Sequence, residues 1–415
     1  MNKTGRNIIV VFLALFLLAG AFSGGLLVGW LIPSKTALET SMQSNILATP
    51  TAAAESSTSA SVQTLFAPFW ETWQIVHDQY VDQPVDDTKL MQGAISGMLN
   101  SLGDPHTSYM DPTEYQQATA PLAGEYEGIG ANVDTSGKFL TIVSPIPDSP
   151  AEKAGLQSGD EIIAIDGKDM TGVDPNIVLK SVLGAAGTSV DLTIHRLDPD
   201  STFDVNITRA KIIVDQVTGK MLDNGIAYIS LPTFGDDTTD QLKSTLTTLL
   251  ADNPKGLILD LRNNGGGYLK TAIEVVSQFI DSGVVMYEQE SDGTMNSYNA
   301  IPGGLATKIP LVILVNSGTA SAAEITSGAI QDFKRGVLVG TTTYGKGSVQ
   351  NWIALENDQG AVRVTVARWL TPNKRQINGV GLTPDYVVDY TADQLKSGIP
   401  DPQLAKAEEI LLGGN

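Results

Sequence analysis

The sequence predicts an α/β protein built in parts, and three observations carry that reading. From about Gly225 onward, short, almost wholly apolar runs alternate with helical patterns. Between 124 and 210 the pattern changes to short strands of period two. Ahead of both, Ile8–Ile32 is nearly all apolar and no charge occurs from Asn7 to Ser34. The chain has 415 residues, 42% hydrophobic and 17% charged, enough apolar material for more than one packed core.

At about 1.5 Å rise per residue, the N-terminal run is long enough for a hydrocarbon layer of roughly 30 Å. Lys3 and Arg6 precede it, and after Lys35 no Lys or Arg appears until Lys89. The positive-inside bias keeps the N-terminus cytoplasmic and exports the rest, so residues 1–34 are expected to be a transmembrane anchor. A cleaved signal peptide with Ala21-Phe22-Ser23 as its cleavage box, releasing a secreted chain, is the alternative; the length of the apolar run favours the anchor.

Residues 35–64 are rich in Ser, Thr and Ala and are expected to be a flexible linker. Helix-spaced apolar residues follow (Phe69, Trp73, Val76, Tyr80, then Leu90, Ile95, Met98, Leu102), giving a helical region over 65–121. Over 122–210, strands are expected at Phe139–Val143, Asp160–Ile165 and Val190–His195, with a helix at Pro175–Leu183 capped by Asp174. His195 falls on the polar face of its strand and reads as a solvated surface residue.

Over 211–390 the strands are Ile226–Leu231, Gly256–Leu261, Leu311–Val315 and Val337–Gly340, with helices at Asp237–Leu250, Tyr268–Asp281 and Ser321–Gln331. Continuous apolar strands of this kind belong to a sheet covered on both faces. A hairpin, Gly347–Leu355 with Ala361–Arg368, and a C-terminal helical segment over 391–415 complete the chain.

With 26 Lys+Arg against 46 Asp+Glu, the net charge is -20, a field that repels phosphate backbones and argues against nucleic-acid partners. The absence of cysteine removes thiolate metal sites and a Cys nucleophile. Gly340-Thr341-Thr342-Thr343-Tyr344-Gly345-Lys346 matches a phosphate-binding G-x-x-x-x-G-K loop. However, Gly347 stands where Ser or Thr should hold magnesium, and a strand rather than a helix follows. No histidine occurs after His195, so the α/β core has no imidazole of its own for a Ser-His-Asp triad.

A serine–lysine pair fits better. Strand Leu311–Val315 runs through Asn316-Ser317-Gly318-Thr319-Ala320 to Ser321 at a helix start, where N–H groups can stabilise an oxyanion. A lysine whose burial disfavours the ammonium form can serve as base, and Lys346 lies between two glycines. Gly265-Gly266-Gly267, after another strand, can add a second oxyanion donor. On residue types alone, a helix N-cap serine and a tight glycine turn remain open.

Together these segments resemble the carboxy-terminal processing peptidases, or tail-specific proteases. Ser317–Glu324 matches the family's S-G-[ST]-A-S-A-[AS]-E, and Tyr344–Gln350 its Y-G-K-G-x-x-Q. Asp260–Gly267 is similar to D-L-R-x-N-x-G-G, Gly103–Tyr109 to its N-terminal helical motif, and Thr371–Asp385 to its closing element. The resemblance implies Ser321 as nucleophile, Lys346 as base, Gln350 as its orienting residue, and an oxyanion hole from Ala322 with Gly266 or Gly267. It also implies a crotonase-like or ClpP-like α/β peptidase core. Residues 122–210 resemble a PDZ domain inserted ahead of it, with Gly128, Ile129 and Gly130 in the loop that would bind a peptide carboxylate. Leu183 stands where many relatives carry an arginine, which would weaken coupling of the PDZ unit to the active site, and Trp369-Leu370 replaces the usual aromatic pair before Thr371-Pro372.

The expectation is a membrane-anchored, extracytoplasmic serine endopeptidase that cleaves proteins near apolar C-terminal tails. It implies no metal or cofactor and leaves homo-oligomers open. A non-catalytic PDZ binding protein or chaperone of the envelope is the alternative.

Overall fold

A computed structural model of the protein describes residues 55–135, 137–390, 394 and 399–413. The expected membrane anchor lies outside these residues, and among those described no helix is long and apolar enough to cross a membrane. The chain forms two compact units, Met1–Asp87 and Thr88–Asn415.

In the first unit, α1 (Glu55–Gln79) begins inside the segment expected to be a linker. The physical reason is that extending a helix needs no new nucleus, so the aromatic stretch carries the Ser- and Thr-rich residues ahead of it into the same helix. Phe66, Phe69, Trp70 and Trp73 touch edge to face or tilted, and Trp73 stacks on His77. His77 Nε2 lies 2.7 Å from Asp87 Oδ1 at the start of α2 (Asp87–Asn100).

The second unit continues with β1 (Ser108–Met110) and α3 (Pro112–Thr119), whose N-cap Asp111 and Glu114 form a reciprocal capping box. The expected PDZ region follows as β2 (Glu125–Gly128), β3 (Ala131–Asp134), β4 (Leu140–Pro145), α4 (Pro150–Lys153), β5 (Glu161–Ile165), β6 (Lys168–Asp169), α5 (Pro175–Val182), β7 (Ser189–Leu197), β8 (Asp200–Thr208) and β9 (Ala210–Ile213). Its sheet runs β3-β4-β5-β7-β8, which makes β3 an edge strand, while β2 pairs with β9. Leu140, Ile142, Ile162, Val182, Leu192 and Ile194 form its core. His195 is not simply solvated: it lies half-buried, with Nδ1 3.0 Å from Glu161 Oε2 and Nε2 3.1 Å from Asp200 Oδ1, because β5 and the β8 hairpin bring carboxylates to both of its nitrogens.

The α/β core contains β10 (Thr218–Met221), β11 (Ala227–Ser230), α6 (Thr238–Ala251), β12 (Leu257–Asp260), α7 (Leu269–Val276), β13 (Val284–Gln289), β14 (Met295–Asn299), β15 (Leu311–Val315), α8 (Ala322–Asp332), β16 (Val337–Gly340), β17 (Ser348–Ala354), β18 (Ala361–Leu370), β19 (Tyr386–Val387) and α9 (Pro402–Leu411). One sheet runs β10-β11-β12-β15-β16-β19, with β11, β12, β15 and β16 parallel. Strand residues alternate between two apolar clusters. Leu259 and Ile313 join Leu242, Leu246, Val276 and Ala329 of α6, α7 and α8. Ile258, Val312 and Val339 face Ala407 of α9. The double cover read from the apolar strands is therefore present. A second sheet runs β1-β18-β13-β14, and β17 forms the expected hairpin with β18.

Parallel strands place their following loops on one edge of a sheet, which is where open α/β sheets bind ligands. Here those loops are 261–268 after β12, 316–321 after β15 and 341–347 after β16.

Candidate active site

The three loops are cross-linked by their own polar groups. Thr319, fully buried, donates its hydroxyl to the Leu261 carbonyl at 2.8 Å, and its own carbonyl accepts Tyr344 N–H at 3.0 Å. Asn264, also fully buried, donates Nδ2–H to the Leu231 carbonyl, accepts Gly266 N–H on Oδ1 at 2.8 Å, and accepts Ala320 N–H on its carbonyl at 2.9 Å.

Between them lies a cavity of about 500 Å³ that brings together Ser321, Ala322, Gly266, Gly267, Lys346 and Gln350, residues scattered over the core sequence. Its walls mix polar groups with apolar side chains, among them Leu269, Ile325, Val349, Trp352 and Trp369. Gly128, Ile129 and Gly130 are not part of this cavity; they lie in the PDZ unit, between β2 and β3.

Ser321 sits immediately before α8 with φ 54° and ψ -117°, a left-handed backbone that a non-glycine residue adopts at a cost of about 1–3 kcal/mol. Tertiary contacts hold it there. Gly266, at φ 104°, passes so close that a Cβ on it would lie 2.8 Å from Ser321 Cβ and 2.9 Å from Ala322 N. Only glycine fits at 266, a close approach that goes beyond what a simple tight turn requires.

The two candidates for the second oxyanion donor now separate. Gly266 N–H is bonded to Asn264 Oδ1, while Gly267 and Ala322 both line the cavity.

Glu324 is the residue that reading the motifs left without a role. It is fully buried, and its carboxylate accepts Ser321 N–H (3.0 Å) and Lys346 N–H (2.9 Å) on Oε2. Oε1 accepts Gly345 N–H (2.8 Å) and the Thr343 hydroxyl (2.5 Å). The signal was present in sequence as Ser321-x-x-Glu324, a capping-box spacing at a helix start. Burial pushes the Glu324 pKa up, against hydrogen bonds from Thr343 and the three N–H groups. Because all four partners are donors, the ionised form satisfies them.

Lys346 is half-buried. Burial lowers its pKa, the nearby Arg363 guanidinium lowers it further, and Glu324 opposes both. Its carbonyl accepts Trp369 Nε1–H at 2.8 Å, so the residue that departs from the usual aromatic pair holds the lysine's backbone. Gln350 donates Nε2–H to Ser348 Oγ (2.7 Å) and Thr365 Oγ1 (3.3 Å). His106 comes close to this group from the β1 side: burial and the charges of Lys346 and Arg363 keep its imidazole pKa low.

In the PDZ unit, the Ile129 side chain is 4% exposed and packs in the core, so the loop has its main chain to offer a ligand. Leu183 packs beside Gly128. A buried arginine does stand at this corner, but it is Arg209. It donates to the Val182 and Ser181 carbonyls at the C-terminus of α5, where a cation complements the helix dipole.

Among the described residues no group of three or more His, Asp or Glu is placed to hold a metal ion.

Residues 225–388 match Peptidase family S41, residues 141–196 a PDZ domain, and residues 29–114 the N-terminal domain of the activating protease CtpB. The chain is 38% identical to the carboxy-terminal-processing protease of Bartonella bacilliformis over 84% of its length and 78% of that protein. With the carboxy-terminal processing protease CtpA of Bacillus subtilis it shares 39% identity over 79% of this chain and 68% of that one. The chain belongs to peptidase family S41. As a family member it is a serine-type peptidase of the C-terminal processing group, with a PDZ domain. The S41 fold is also seen in a solved Bacteroides fragilis S41 protein, 16% identical, at a TM-score of 0.57 over 82% of this chain and 97% of that one.

Proposed function

We propose that this S41 peptidase cleaves proteins near their C-termini through a Ser321–Lys346 dyad, outside the cytoplasm and anchored by residues 1–34. The carrying observation is the shared cavity: Ser321, its helix-start amide neighbour Ala322, and a lysine with a lowered pKa line one space. Neutral Lys346 takes the Ser321 Oγ proton as the oxygen attacks the scissile carbonyl. The Ala322 and Gly267 amides receive the oxyanion, and Lys346 returns the proton to the leaving amine. Gln350 orients the lysine side chain.

The PDZ unit supports capture of apolar tails. Edge strand β3 is open to an added peptide strand, and the main chain at Gly128, Ile129 and Gly130 can receive its carboxylate. Export rests on the apolar run Ile8–Ile32 and on the lack of Lys and Arg between Lys35 and Lys89.

The test is digestion of a tail-bearing protein by the full-length chain in detergent, followed by mass spectrometry of the products. Cuts near the C-terminus, lost in Ser321→Ala, support the reading. Undiminished cleavage by that variant, or cuts spread evenly along the substrate, would sink it.

A further inference from the structure

We propose that Asn316 and Asn263 are positioning residues of the reaction: their paired side-chain amides clip the loop of Ser321 to the loop of Gly267 and hold nucleophile and oxyanion donors in register. The inference rests on the reading of Ser321 as nucleophile and of Ala322 and Gly267 as oxyanion donors.

β12 and β15 run parallel, and their backbone ladder ends where Leu261 N–H meets the Leu314 carbonyl at 3.0 Å. From there one chain turns towards Gly267 and the other towards Ser321. At this fork the Asn316 side chain takes over from the ladder. Its Oδ1 accepts Asn263 N–H at 2.8 Å and Gly318 N–H at 3.0 Å, and its Nδ2–H donates to Asn263 Oδ1 at 2.8 Å. The amide can face only one way, because two backbone N–H groups require an oxygen and leave the NH2 for Asn263. Asn263 is held at φ 58°, a left-handed conformation that asparagine accepts more readily than most side chains.

Gly318 shows how closely the two loops are drawn together. Its φ is not positive, so a left-handed turn is not the reason for glycine here. A Cβ at this position would lie 2.9 Å from both Asn263 Cα and Asn263 Oδ1, and it is this approach that excludes a side chain. The pair lies at the surface, with Asn263 exposed and Asn316 half-buried, whereas Thr319 and Asn264, which also link these loops, are fully buried. Water can therefore replace the hydrogen bonds of the clip without cost to the core. What water cannot supply is a fixed spacing between the loops. Ser321 keeps a strained backbone that its surroundings must hold, and Asn316 begins the loop that ends on it.

The experiment measures kcat and KM on a short peptide, above the rising limb of the wild-type pH profile, with thermal unfolding in parallel. The full-length variants are Asn316→Ala, Gly318→Ala, Asn263→Asp, Asn316→Asp and the Asn263→Asp/Asn316→Asp double variant. Asn316→Ala should lower kcat roughly ten- to hundredfold, the scale of a small misplacement at a reacting centre, with KM and the unfolding midpoint close to wild type. Gly318→Ala should do the same by pushing Asn263 away. Each single aspartate should stay near wild type. Asn316→Asp keeps the acceptor for both N–H groups while the exposed Asn263 amide turns its NH2 to the second oxygen, and Asn263→Asp accepts Asn316 Nδ2–H directly. The double variant sets two acceptors face to face and should lose kcat as Asn316→Ala does, a non-additivity that marks a reciprocal pair. If the alanine variant fails to fold, the aspartate set decides alone. Wild-type kcat in Asn316→Ala or in the double variant, or single aspartates that lose as much as the double, overturns the inference and leaves the dyad standing. So does a loss of kcat that tracks the unfolding midpoint across the set. Ser321→Ala, run alongside, separates the two readings: full activity in that variant removes the nucleophile and the inference with it.

Discussion

The backbone N–H groups of Ser321 and Lys346 end on the same oxygen, Glu324 Oε2, at 3.0 and 2.9 Å. The proposed nucleophile and base thus share one buried anchor, and neither loop can shift without breaking a charge-assisted hydrogen bond. Glu324→Gln replaces one acceptor with an NH2 that must face a donor. It should lower stability by about 1–3 kcal/mol, the cost of unsatisfied buried groups, and reduce kcat as well. Denaturant midpoints and peptide kinetics on the same preparation check this; a fully active, equally stable variant refutes the anchor.

Ser321→Ala should lower kcat by about 10⁴-fold or more, as loss of a serine nucleophile does, while thermal unfolding stays close to wild type. Ser317→Ala, at an exposed position of the same loop, should keep substantial activity. Equal losses in both would leave no ground for choosing Ser321.

Lys346 has a folded-state pKa below its ordinary value, for burial first and Arg363 second. The reactive neutral fraction grows as pH rises through that lowered pKa, so kcat should rise with pH below the usual lysine range of about 10.4. Between the folded and unfolded values the unfolded chain binds more protons, so stability should also rise with pH there. Arg363→Met removes a repelling charge, raises the lysine pKa and should move the rate limb to higher pH. Lys346→Arg should be inactive, since guanidinium stays protonated. A pH–rate profile flat from neutral to alkaline pH would count against a titrating lysine.

Gly266→Ala should reduce kcat by about 10²-fold or more, the range for a disturbed oxyanion hole. The added methyl would meet Ser321 Cβ and Ala322 N at 2.8–2.9 Å. Steady-state kinetics with a circular dichroism control for folding measures this.

For the PDZ loop, Gly130→Val is a poor probe of carboxylate binding. A Cβ there would lie 2.4 Å from Ser149 Cβ, at φ 79°, so the variant disturbs the PDZ fold itself. Amidating the peptide's C-terminus is the cleaner test and should weaken capture. The two ends of the insertion meet at Val214 N–H to the Gly124 carbonyl (2.9 Å), which makes deletion of 125–213 with a short join feasible. With Leu183 at the arginine position, this deletion should raise KM for tail-bearing proteins and spare kcat on short peptides. A collapse of kcat in a folded deletion variant would make the PDZ unit an activating element.

What the residues alone determined follows from local rules. Apolar strands such as Leu311–Val315 required cover on both faces, Asp174 before Pro175 marked a helix start, and the Ser321 and Lys346 motifs pointed to the nucleophile and base proposed above. What remained invisible was set by contacts between distant segments. Gly266 loses its amide to Asn264, Arg209 rather than the position of Leu183 supplies a cation to α5, and Thr107 accepts Thr365 N–H only because β1 pairs with β18. Hydrogen-bond partners of this kind are selected by strand order and loop approach. A one-dimensional pattern carries periodicity and local propensity, and which buried donor meets which acceptor is decided when the parallel strands bring their loops to one edge.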